Sequence, residues 1–175
     1  MESFEEKIKT DLHKYLLSME EVDSRLPENA DIEDKWRGIA EEYLPDGIRE
    51  FNGYPTVSLG WMMYVGMAVA KYWDEDWEVY GQVPNLYEYV RDKRGFDYLD
   101  EVVRGEVLML KDDEYSQMEK IVQGFAQQVL NQIRHENIEP QSPMAFHVYV
   151  RSIKVLYLLG AAIELKALGY KFEKV

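Results

Sequence analysis

The 175-residue chain contains no cysteine. That excludes disulfides, a thiolate nucleophile, and any zinc or iron–sulfur site built on cysteine ligands. Histidine is scarce too. His13, His135 and His147 stand far apart and form no E-x-x-H, HExxH or H-x₃₋₅-H spacing, so neither a di-metal helical bundle nor a zinc site is expected. The glycine-rich phosphate loops GxGxxG and GxxxxGK[ST] and the GxSxG elbow are also missing. Nucleotide binding and serine-hydrolase chemistry therefore have no support. The expectation is a protein without metal or cofactor, leaning away from enzymes.

Positive charge is in short supply. Lys and Arg number 20 against 33 Asp and Glu, for a net charge of −13. The excess is uneven: 15 acidic against 7 basic groups over residues 1–50, 10 against 5 over 51–110, and 8 against 8 over 111–175. Nucleic acids and anionic membranes are bound by neutralising phosphates with Lys and Arg, so neither is an expected partner. The N-terminal MESFEEKIKTDLHKYL has no basic leader followed by an apolar stretch, as a secretory signal would. The longest apolar stretch, Val57–Ala70, has fourteen residues, short of the roughly 20 needed to span a bilayer. A cytoplasmic location is the expectation.

That stretch, VSLGWMMYVGMAVA, is what the chain is organised around. As a helix it spans about 21 Å and is apolar on every side, so other elements must surround it. Gly60 and Gly66 lie within it. Each costs roughly 0.5–1 kcal/mol relative to alanine in a helix, and close packing is the expected compensation. Its predicted extent is from Pro55 or Thr56 to Tyr80.

The rest of the chain reads as helices around it. Residues 2–26 carry apolar side chains at three- and four-residue steps, the mark of an amphipathic helix. A second helix starts near Asp31 with Trp36, Ile39, Ala40 and Tyr43 on one face, and Pro45-Asp46-Gly47 is expected to turn or kink the chain. Asn52 to Pro55 is a turn. Short helices are predicted over Asn85–Arg94 and Phe96–Lys111, and a long amphipathic one over residues 113–135. Ser142 and Pro143 suit an N-cap and first helical position for a last helix reaching Leu168, with Gly169 as its stop. FHVYVRSIKV (Phe146–Val155) also alternates like a strand, but the caps and length favour helix. The prediction is one all-α domain over residues 1–175, a bundle of six or seven helices.

An internal duplication is a further reading. Gly38-Ile39-Ala40-Glu41-Glu42-Tyr43-Leu44 resembles Gly124-Phe125-Ala126-Gln127-Gln128-Val129-Leu130 at an offset of 86. Each segment precedes an uncharged, small-residue-rich helix, which would pack the two halves about a pseudo-two-fold axis.

Two candidate sites follow from patterning. His147, Arg151 and Lys154 form a polar stripe on the apolar last helix. The stripe, with His147 and Arg151, could form the anion-accepting wall of an interhelical pocket with Tyr64 or Tyr157 as hydroxyl partners. Twelve of the 23 aromatic residues fall within 51–98. In YWDEDWEVY (Tyr72–Tyr80), Trp73, Trp77 and Tyr80 would share one helical face, a surface for a partner protein or a homo-oligomer. Glu164 is expected to face solvent near Lys154 and Lys166. Protein–protein contact or self-association is the leading functional expectation; the alternative is a small-molecule-binding helical domain.

Overall fold

A computed structural model describes residues 29–135, 139 and 142–169. The helix expected over residues 2–26 lies outside them. Among the described residues the chain is all-α, with seven α-helices, one 3₁₀ turn, one π-helical turn and no strand.

Helix α1 is Ala30–Asp34, and the Asn29 side chain caps it by accepting the Ile32 N–H at 3.1 Å. Helix α2 is Trp36–Gly53. It corrects the expected break at Pro45, which sits inside it. Proline removes one backbone donor, but tertiary bonds hold both sides of the site. The Tyr43 hydroxyl donates to the Ser58 carbonyl. Asp46 accepts from the Tyr87 hydroxyl at 2.7 Å and from Arg91 at 2.9 Å.

Helix α3, Pro55–Tyr80, is the central element, and Leu59 and Met62–Ala70 along it are buried. Proline at its start supplies the pre-set φ a first turn needs. The helix does not run straight to its end. Asp76 has extended φ/ψ of −167° and 84°, so the last residues fold back. Asn85 caps helix α4, Leu86–Arg94, by accepting the Glu88 N–H at 3.0 Å, and its amide donates to the Gly38 carbonyl at 2.7 Å, tying α4 to α2. Gly95 ends α4 at φ +93°, a conformation glycine adopts freely.

The single helix expected over Phe96–Lys111 is corrected to three short pieces. A 3₁₀ turn (Phe96–Tyr98) leads into α5 (Leu99–Glu101) and then a π-helical turn (Val102–Val107). Helix α6 is Asp112–His135, with three acidic residues in its first turn, where the helix dipole favours them. Helix α7 is Pro143–Ala167, capped by Ser142 Oγ accepting the Ala145 N–H at 3.1 Å. The strand-like alternation of residues 146–155 is helical.

Helices α3 and α7 pack along each other more extensively than any other pair. They run in the same direction. Ser58 Oγ meets the Tyr149 hydroxyl at 2.6 Å near their starts, while Glu164 feels Lys71 and Asp74 near their ends. Between these points, a Cβ on Gly66 would fall on the Tyr157 carbonyl and one on Gly160 on the Met63 carbonyl. This reciprocity is the local symmetry a duplication would produce, but it does not extend outward. Gly66 and Gly160 stand 94 positions apart, against 86 for the Gly38 and Gly124 segments. Helices α2 and α6 both lie chiefly on α3 and touch α7 little.

The expectation for Glu164 is corrected. It is 6% exposed, because α7 turns both of its apolar sides inward and carries the carboxyl with them. Burial pushes its pKa up to about 7, with Lys71 opposing.

Candidate functional site

The first turns of α3, together with α5 and α6, enclose a half-open cleft of about 400 Å³. Val57, Trp61 and Tyr64 stand at i, i+4 and i+7 on α3 and so share a face. Glu119, Gln123 and Gln127 form the matching row on α6, and Asp100 comes from α5. Gly60 lets the helices approach here, since a Cβ on it would stand 3.0 Å from Val122. The Trp61 indole N–H donates to the Phe96 carbonyl at 2.8 Å, which fixes the ring.

Behind the cleft lies Arg104, 3% exposed. It occupies the π-helical turn, whose wider winding is seen in the Leu108 N–H donating at 2.8 Å to Val103, five residues back. Such turns insert an extra residue into a helix and recur at functional sites. Arg104 donates to Asp100 Oδ2 at 3.1 Å, Glu119 Oε2 at 3.1 Å, the Tyr115 carbonyl at 3.2 Å and the Asp100 carbonyl at 3.4 Å. Its guanidinium lies 4.0 Å from the Tyr115 ring centroid and 5.8 Å from that of Tyr64. A buried cation with four of its five N–H groups engaged has little left for a ligand. Its effect is to hold two carboxylates in fixed positions. Their side chains remain 18% and 47% exposed for Asp100 and Glu119, so both reach the cleft. Burial raises the pKa of Asp100, with its backbone bonds and Arg104 opposing. Burial likewise pushes the Tyr64 phenol well above its ordinary value.

The four residues expected to share a pocket are divided among three surroundings. Tyr64 lines this cleft. Tyr157 is fully buried elsewhere, donating to the Ile32 carbonyl at 2.8 Å and stacking on Trp36 at 5.3 Å. Arg151 Nε donates to His147 Nε2 at 2.8 Å on the outer part of α7.

The stripe Trp73, Trp77, Tyr80 is likewise divided, by the break at Asp76. Trp73 donates to Asp31 at 2.9 Å. Trp77 packs on Gly81 and lies 5.6 Å beneath the Lys35 ammonium. Tyr80 turns to a different neighbour, Tyr72, at 4.3 Å. Asp100, Arg104 and Glu119 were not singled out by patterning. The i, i+4 spacing of Asp100 and Arg104 was the available signal, and it is common on exposed helices.

No described helix is long and apolar enough to cross a membrane. Among the described residues no group of three or more His, Asp or Glu is placed to hold a metal ion. No protein-family model, curated protein or solved structure matches the chain.

Proposed function

We propose that this is a non-enzymatic binding protein whose cleft takes a small organic cation, an amine or guanidine carrying a flat apolar group. The observation that carries this reading is the buried Arg104 holding Asp100 and Glu119 at the cleft. One positive charge faces two negative ones, so the cleft favours a further cation. The carboxylate lone pairs not used by Arg104 can accept from it, with Gln123 and Gln127 beside them. The partly exposed Trp61 offers its ring to the apolar part and, by cation–π attraction, to the charge itself. The positions are pre-set, which lowers the ordering cost of binding. Binding rather than catalysis is the reading because both carboxylates are committed to Arg104, and among the described residues no histidine or lysine lines the cleft to act as a base.

Thermal unfolding with three matched probes tests it. Benzylamine should raise Tm, while benzyl alcohol and benzoate should not, and Glu119→Gln should abolish the response. A rise of equal size with benzoate, or none with benzylamine, would reject the reading.

A further inference from the structure

A second feature lies where α3 bends back at Asp76. The bend brings Tyr80 onto Tyr72, with ring centroids 4.3 Å apart and planes at 25°. In an unbroken helix residues eight apart would be separated by about 12 Å along the axis. Tyr89 of α4 meets both edge-on, at 5.8 Å and 76° to Tyr72 and 6.3 Å and 66° to Tyr80. The cluster grades from inside to outside: Tyr72 is 5% exposed, Tyr80 is half-buried, and Tyr89 is 39% exposed. Val79, 58% exposed, adds an apolar edge beside it.

Three carboxylates lie near these phenols. Glu75 and Glu106 act on the Tyr72 hydroxyl, and Glu75 and Asp76 on that of Tyr80. No hydrogen bond joins the hydroxyls of Tyr72, Tyr80 or Tyr89 to another described residue. Among the described residues the buried Tyr72 phenol thus has no hydrogen-bond partner, and Glu75 and Glu106 act on it electrostatically. The surface already receives one cation of the chain's own, since the Lys93 ammonium rests 4.7 Å from the Tyr89 ring centroid. Lys71 is turned to Glu75 at 3.8 Å.

We propose that the tyrosine–carboxylate face formed by Tyr72, Tyr80 and Tyr89 with Glu75, Asp76 and Glu106 is a docking site for a lysine-rich segment of a partner protein. Lysine fits on three grounds. Its ammonium is attracted to tyrosine ring faces, it can donate to the phenol oxygens and the carboxylates, and its alkyl stem can lie along Val79. Charge complementarity selects the partner. A second copy would bring the same acidic face and a further net charge of −13, and nucleic acid has the wrong sign. The inference is independent of the cleft, with which it shares no residue.

The experiment uses the full chain and a fluorescent peptide of alternating lysine and alanine, blocked at both ends so that lysine supplies its only charge. Anisotropy should report binding that weakens with salt. Tyr89→Ser should weaken it about tenfold, a loss of roughly 1.4 kcal/mol, while Tyr89→Phe, which keeps the ring, should retain most of the affinity. Glu75→Gln with Glu106→Gln should weaken it by a similar factor. The control is Asp113→Asn with Glu114→Gln, which removes as many carboxylates from the start of α6 and should leave binding nearly unchanged. Circular dichroism establishes that each variant is folded, and Tyr89 is exposed enough to be replaced safely. Equal losses in the control, or a Tyr89→Ser variant that binds as tightly as the parent, would overturn the proposal.

Discussion

Gly66 and Gly160 seat the two apolar helices directly against each other's backbone. A Cβ on Gly66 would overlap the Tyr157 carbonyl and come within 3.0 Å of the Ala161 nitrogen, and one on Gly160 would overlap the Met63 carbonyl. Neither neighbour is a flexible side-chain end, so relief requires moving α3 from α7.

Gly66→Ala should therefore destabilise the protein by about 3 kcal/mol, the upper part of the usual overpacking range, even though alanine is the better helix former. Gly53→Ala is the matched control. A Cβ there meets nothing within 4 Å, so the change should be neutral or stabilising by up to about 1 kcal/mol. Urea denaturation of both variants checks the pair.

Glu164 should make stability fall as pH rises. Its folded pKa of about 7 lies above that of an unfolded glutamate, so the fold binds the proton more tightly. The penalty is absent below about pH 4.3 and complete above about pH 7, where it approaches 3 kcal/mol in order of magnitude. Glu164→Gln should flatten this part of the profile and stabilise most at about pH 8. Urea midpoints across that window, with wild type and variant superposing at the alkaline end, would contradict it.

Arg104→Met should destabilise by roughly 1–3 kcal/mol, because it removes the donor that Asp100, Glu119 and the Tyr115 carbonyl share. Replacing Asp100 and Glu119 with Asn and Gln in the same chain should recover part of that loss. The recovery is the informative quantity, and a double-mutant cycle by denaturation measures it.

Trp77→Ala distinguishes packing from partner contact. Trp77 is half-buried over Gly81 and under Lys35, so its loss should cost about 2–3 kcal/mol, below the 3–5 of a fully buried aromatic. Binding of the lysine peptide, adjusted for folded fraction, should change little. A variant of unchanged stability would show that Trp77 does not pack as described.

The sequence by itself determined the helices and most of their ends. Helical periodicity in α6, Asn85 and Ser142 as caps, Pro55 and Pro143 at first positions, and Gly95 and Gly169 as stops are local chemistry, decided by backbone donors and φ within a few residues. The apolar character of Val57–Ala70 likewise required a central helix, and its glycines announced close packing. Tertiary structure decided what local preference leaves open. Pro45 stays helical because hydrogen bonds to Ser58 and from Tyr87 and Arg91 hold its neighbours. The stripe Trp73, Trp77, Tyr80 is split because the chain bends at Asp76, where Tyr80 stacks on Tyr72. Glu164 is buried because α7 is enclosed on nearly every side. Asp100, Arg104 and Glu119 meet across α5, a π-helical turn and α6, nineteen positions of sequence apart at the extremes. No periodicity encodes that meeting, since it depends on the register in which a third helix, α3, supports the other pieces.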